Sequence, residues 1–176
     1  MNPKVLVAVL TAVVGIAPTV THAASTSIGS TAAIAPQIAF SVPVDINFGE
    51  LAVPNSAAGG SYTIGIGGAP NSAVNATQID LASVQAGSIT ISGRKATTID
   101  FSITPGAFTC DTTYTATCVG TAGLSLTMTH SFGTAIDDTC AGVRCTEVVE
   151  IGGDFAFPAA AEGRWTNTLT ITANYQ

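Results

Sequence analysis

The sequence predicts an all-β protein: a sandwich of about eight or nine short strands, with a β-barrel as the alternative. Three observations carry this expectation. Apolar residues recur at every second position in segment after segment, the period at which strand side chains share a face. Gly, Pro, Asn and Asp punctuate those segments at short intervals. Charged residues make up only 9% of the chain while Thr, Ser, Ala and Gly abound, a composition suited to half-buried pleated surface.

The first 23 residues read as a signal peptide rather than as part of the fold. Lys4 supplies the positive start, residues 5–16 form an apolar stretch too short to cross a bilayer, and Thr21-His22-Ala23 offers a small-residue cleavage site at Ala23 and Ala24. Export to the periplasm, the cell surface or the medium is the expected destination. No later run has the length and apolarity of a membrane span. About 150 residues remain, enough for one domain, read as an extension at 24–37 followed by a sandwich domain at 38–176. After the leader, Arg94, Lys95, Arg144 and Arg164 face eleven carboxylates, so 4 − 11 gives a net charge of −7. Such an acidic surface argues against nucleic acid or anionic lipid as a partner.

From Ile28 to Phe48 every second residue is apolar almost without exception, and the interleaved residues are small or polar. One straight strand of that length would reach about 70 Å, so the run must break. Pro36 and Pro43 are the places, because proline cannot donate to a ladder. Two strands in one phase result, one near 26–34 and one near 38–47. The first is a candidate donor strand with Ile28, Ala32 and Ile34 as its anchors, able to cover its own domain or reach into a neighbour.

Further strands follow at Tyr62, Ile64 and Ile66, at Ile89 and Ile91 ending on Gly93, and at Ile99, Phe101 and Ile103 ending on Pro105-Gly106. Residues 71–78 are polar and read as loop, with a weak strand or turn near Ile79, Leu81 and Val84. Leu124, Leu126, Met128, His130 and Phe132 alternate cleanly with Ser and Thr. Residues 148–157 form one strand or two, bent at Gly152-Gly153. Residues 158–163 are a turn region with room for one helical turn. Trp165, Asn167, Leu169, Ile171, Ala173 and Tyr175 mark a final strand.

The four cysteines, Cys110, Cys118, Cys140 and Cys145, all follow the leader. An even count in an oxidising compartment points to disulfides. Of the three pairings, the local one, Cys110–Cys118 with Cys140–Cys145, is favoured, each bridge closing a turn-rich loop. Their spacing fits no zinc ribbon.

Several of these segments resemble a family of exported bacterial proteins, the domain-of-unknown-function family numbered 4402. The resemblance rests on Asp45-Ile46-Asn47-Phe48-Gly49, on Ile89-Thr90-Ile91-Ser92-Gly93, on Ile151-Gly152-Gly153, and on the ending from Gly163 through Trp165 to Asn174-Tyr175. In the ending, Trp165 stands where the family usually has Tyr, Asn167 where it has Gly, and Ala173 where it has Val. The ending is also similar to spore-coat protein U-like proteins and to pilins exported by chaperone–usher systems. These resemblances imply an immunoglobulin-like sandwich and assembly at the cell surface, and no enzyme.

The residues themselves offer little catalytic chemistry. His130 is the one histidine after the leader, in register with an apolar strand face. A copper site with Met128 would need a second His and a ligand Cys, and a triad would need an oriented serine. No catalytic or metal-binding residue and no cofactor is expected. Asp137, Asp138, Glu147, Glu150 and Asp154 lack calcium-loop spacing and read as an acidic rim. Trp165 and Tyr175 could form a sugar platform but fall in a core phase.

The leading expectation is a non-enzymatic structural or adhesive surface protein, fimbrial-subunit-like, in which 26–34 adds a strand to a copy of itself or to another surface subunit, with a periplasmic chaperone as a further partner. A monomeric secreted module that binds glycan or another surface ligand is the alternative.

Overall fold

The structure is a computed structural model that describes residues 32, 34–54, 58–67, 71–80 and 82–176. The leader, its cleavage site at Ala23 and Ala24, and Ile28 lie outside the described residues. The strands are β1 (Ala39–Val44), β2 (Glu50–Ala52), β3 (Gly60–Ile64), β4 (Ser72–Val74), β5 (Thr77–Asp80), β6 (Gly87–Arg94), β7 (Ile99–Pro105), β8 (Thr109–Cys110), β9 (Ser125–His130), β10 (Arg144–Phe157), β11 (Trp165–Thr166) and β12 (Leu169–Tyr175). Of these twelve, β2, β4, β8 and β11 have only two or three residues, leaving eight of four residues or more. Helical structure among the described residues is a single 3-10 turn at Thr121–Gly123, placed before β9 and not in the Ala-rich stretch at 158–163.

Among the described residues every pairing is antiparallel, and no sheet closes into a barrel. The 14-residue β10 is the axis. Ile151 pairs with both Gly87 of β6 and His130 of β9, which places those two strands on opposite edges of β10. Gly153 likewise pairs with Ile64 of β3 and Met128 of β9. Strands β6 and β3 therefore occupy one edge of β10 end to end, and the edge changes hands at Gly152. Strands β1 and β6 flank the first half of β10, β9 lies along its second half, and the order β1–β6–β10–β9 is met where the two halves join at Ile151.

Facing it is the ribbon β7–β12, continued through a break by β8–β11. The core lies between the layers: Ile89, Ile91, Val149 and Ile151 from the sheet, Ile99 from the ribbon, and Phe132 and Ile136 from the connection after β9, all buried. In sequence order β1, β6, β7, β9, β10 and β12 occupy the A, B, C, D, E and F places of an immunoglobulin-type sandwich, whose sheets run A-B-E-D and C-F-G. A second cluster, Phe48, Phe108 and Phe157 around Phe155 with ring centroids 5.5–5.9 Å apart, fills the other end.

Three local features differ from the sequence reading. Residues 71–78 are not loop: β4 pairs with β3, and β5 pairs with β2. The β2–β5 pairing joins segments distant in sequence, and local polarity reveals neither pairing. The last strand is interrupted at Asn167, whose side-chain amide donates to the Gly106 carbonyl. Pro43 lies inside β1 at a register shift, with Val42 at φ 51°, so the proline is accommodated by a bulge rather than ending the strand.

The recurring motifs acquire physical reasons. Asn47 exchanges two backbone hydrogen bonds with Gln85, and its side-chain oxygen accepts the Gly49 amide at 2.9 Å. Gly49 sits at φ 72°, and a β-carbon there would lie 2.8 Å from Val84 Cγ2. At the far end the Tyr175 hydroxyl accepts the Arg94 amide at 2.7 Å and donates to the Pro36 carbonyl at 2.7 Å. Gly93 lets it in, since a β-carbon there would stand 2.8 Å from that hydroxyl.

Two stability outcomes follow. Tyr175→Phe removes a hydroxyl that serves one donor and one acceptor, and is expected to lower unfolding free energy by about 1 kcal/mol in urea titration. Gly49→Ala forces a side chain into left-handed backbone against close neighbours, with an expected loss of about 1–3 kcal/mol by the same measurement.

Candidate functional site

The sandwich is closed on one side and open on the other. On the β9 side, residues 131–136 cross between the layers: the Ile99 amide donates to the Thr134 carbonyl at 2.9 Å, and Thr98 bridges Ala135. Phe132 and Ile136 drop into the core from this strap, at 5% and 1% exposure. On the β1 side, among the described residues, no strand lies beside the outer edge of β12. The consequence shows in burial. Along the inner face of the ribbon, Ile99 next to the strap is buried, whereas Phe101, Ile103, Ile171, Ala173 and Tyr175 are only half-buried. Phe40 on β1, whose ring lies 6.5 Å from that of Phe101, is 37% exposed.

The outer edge of β12 is chemically bare. Leu-Thr-Ile-Thr-Ala-Asn-Tyr contains no charge, proline or glycine, the devices that usually protect an edge from another chain. By contrast β4 is three residues long, and β1 carries Pro43 and its bulge. Residues 35–38 pass the Tyr175 end of this opening, leaving a cleft of about 390 Å³ against residues 173–175.

The N-terminal candidates are only partly within view. Ala32 is exposed and outside any strand, and Ile34 is 96% exposed. Ile34 therefore stands free of its own domain's core.

Elsewhere the candidate chemistry is absorbed in structure. The cysteines pair Cys110–Cys118 and Cys140–Cys145, each with Cα atoms 5.8 Å apart. Among the described residues no three His, Cys, Asp or Glu side chains are grouped to hold a metal. His130 lies in the half-buried phase of β9 with its ring 4.9 Å from that of Phe101. Glu147 accepts the Asp137 amide at 3.3 Å, Glu150 the Gly67 amide at 2.6 Å, and Asp154 the Thr63 hydroxyl at 2.7 Å. Glu150 rims a cleft of about 530 Å³ where β3 gives way to β6. Trp165 donates to the Thr121 hydroxyl at 3.0 Å and sits ten positions along the chain from Tyr175 (175 − 165). At strand rise that is about 30 Å, too far for one sugar platform.

The two disulfide loops share a device. Thr113 donates its hydroxyl and its amide to Asp111, and Thr139 does the same for Asp137. Those bonds hold both carboxyls below the usual carboxylate range, with Arg164 assisting at Asp111.

This arrangement defines an all-β sandwich domain, stapled by two disulfides, with the uncharged strand β12 at an edge of its two-strand ribbon. The family described as Domain of unknown function (DUF4402) matches residues 38–175, from the cleft beside Tyr175 through every strand, and the chain belongs to that family. No curated protein and no solved structure matches the chain.

Sequence reasoning located β12 as a strand without identifying it as an edge.

Acid should loosen both loops. A carboxyl whose pKa is lowered by folding contributes stability above the unfolded value near 3.9 and loses it as pH falls through the lowered folded value. Asp111→Asn with Asp137→Asn should melt below the wild type at pH 6. The gap should narrow in thermal scans as pH falls through the lowered folded values, where the wild-type carboxyls take up protons.

Proposed function

We propose that this protein is a non-enzymatic structural or adhesive subunit of an exported assembly, similar to a fimbrial subunit, and that residues 26–34 act as its donor strand. The observation that carries the reading is the bare outer edge of β12 beside a half-covered core. An added strand supplies backbone hydrogen bonds along such an edge and side chains for the apolar surface beneath it. Ile34 supports the same reading, because an apolar side chain 96% exposed on its own domain is available to another. The leader-like start, the two disulfides and the absence, among the described residues, of a helix long and apolar enough to cross a membrane fit an exported protein. The partner is another copy or a different surface subunit, with a chaperone shielding the edge before assembly.

Sedimentation across a concentration series tests this. The mature protein should form multimers, and deletion of residues 24–35 should leave a monomer that regains stability when the segment is supplied as a peptide. Ile34→Asp should weaken association about thirtyfold or more, since burying an unpaired polar group costs roughly 2–7 kcal/mol. A mature protein that stays monomeric at every concentration, with a melting temperature indifferent to the deletion, overturns the reading.

A further inference from the structure

We infer that the corner of the sheet formed by Arg94, Lys95 and Arg144 binds the carboxylate groups of an acidic polysaccharide. The inference goes beyond the assembly reading. It concerns the outer face of the sheet made by β1, β6 and β10, and it needs no second copy of the chain.

Three of the four cations that follow the leader meet at this corner. Arg94 ends β6, Arg144 opens β10, and the two pair directly across the strands. Lys95 comes next in the chain, and its amide donates to the Val143 carbonyl at 3.1 Å. All three residues are exposed. Directly opposite residues of an antiparallel pair share a face with their β-carbons about 5 Å apart, and like charges placed there repel. A carboxylate between the two would relieve the repulsion, but no side chain of this protein supplies one. All eleven Asp and Glu residues lie among the described residues, and the one ion pair there joins Arg164 to Asp111. Glu147, the nearest acid along β10, pairs with core residue Ile91 and so belongs to the opposite face, where it accepts the Asp137 amide.

The cations are also held in place. The Arg144 guanidinium donates to the Ser92 hydroxyl at 2.7 Å, which draws it back over the sheet. The next residue, Cys145, is buried and bridged to Cys140. A side chain fixed before the ligand arrives loses little freedom on binding.

The surroundings select the ligand. A guanidinium presents a planar fork that matches a carboxylate with two parallel hydrogen bonds. Beyond the corner the same face carries Ser92 opposite Thr146, then Thr90 opposite Ser41, hydroxyls suited to hydrogen bonds with sugar. Among the described residues of β1, β6 and β10 this face has no aromatic side chain of the kind that anchors a protein partner. The net charge of −7 after the leader repels a densely charged polymer such as nucleic acid. Widely spaced carboxylates meet less opposition. Glu150, the next charge along this face of β10, is six residues from Arg144 (150 − 144), about 20 Å away and beyond the screening length of about 8 Å.

Titration of the mature protein with polygalacturonate tests the site, with the methyl ester of the same polymer as its uncharged counterpart. The acid form should bind, more weakly as salt rises, and the ester should not. Arg94→Gln with Arg144→Gln should weaken binding about tenfold or more. Arg164→Gln, at the cation outside the corner, should bind as the wild type does. Without polymer, Arg94→Gln should melt at or above the wild-type temperature, because it removes the repulsion from Arg144. A wild type that binds neither polymer, equal binding of the ester, or an Arg164→Gln loss as large as that of the double variant overturns the site. Duplex DNA bound more tightly than polygalacturonate overturns the assignment to polysaccharide. A clearly lower melting temperature for Arg94→Gln shows an arginine kept for the fold, and also overturns the inference.

Discussion

The width of one sheet against the other sets the character of this domain. Strands in a sheet lie about 4.8 Å apart, so the axes of β1, β6, β10 and β9 span about 14 Å while those of β7 and β12 span about 5 Å. A two-strand ribbon leaves part of a four-strand apolar face without cover. The fold answers on one side with the strap at 131–136, whose Phe132 and Ile136 are buried in the core. On the other side Phe40, Phe101 and Ala173 are left half-covered. The asymmetry is specific: backbone pairing to β7 anchors the strap, and the bare edge of β12 offers the same kind of pairing to a strand from elsewhere.

Strand β10 makes that asymmetry stable. It is long enough to hold two different strands, β6 and β3, end to end on one edge while β9 bridges their junction on the other. Removing β3 or β9 still leaves β10 paired along most of its length. Opening the β1–β12 side therefore does not expose the central strand, whose Val149 and Ile151 stay buried beneath Ile99 and the strap. The disulfides act on the same scheme. Cys145 is a buried residue at the start of β10 and ties it to its preceding loop, while Cys118 packs against Gly163 where the chain turns into β11. Loops of 8 and 5 residues contribute about 2–2.5 kcal/mol each by loop-closure entropy. That is a substantial share for a domain of this size with an incompletely covered core.

Much of this was legible in the residue pattern, and the rest has physical reasons for being hidden. Strands β7, β9 and β12 announce themselves because an apolar face alternates with a Thr and Ser face, and β10 because Gly152-Gly153 interrupts a long β-rich run. Strands β4 and β5 are silent. Their residues are small, polar or exposed, and they are strands only because β3 and β2 lie alongside. Asn167 was hidden for the opposite reason: it keeps the phase of the last strand, but its side chain takes the Gly106 carbonyl and breaks the ladder. The expected donor anchors could be named from period and position, whereas the acceptor could not. Whether a strand is central or at an edge is decided by neighbours far away in sequence, and Leu169 to Tyr175 would read identically in either place.

The same bareness that hides the edge in the sequence gives it meaning in the fold. Eleven carboxylates are distributed over a chain of 176 residues, and the described ones lie on loops and outer faces or on strands other than β1 and β12. Charge of one sign keeps copies apart at long range, with a reach of about 8 Å at physiological ionic strength. A contact between copies that does form must then rest on backbone pairing and apolar fit rather than on ion pairs. An edge of alternating Thr and Leu, Ile, Ala or Tyr supplies both: the polar side chains keep the outer face wet, and the apolar ones face the uncovered row. A single lysine on that face would protect the strand at almost no cost to the sandwich.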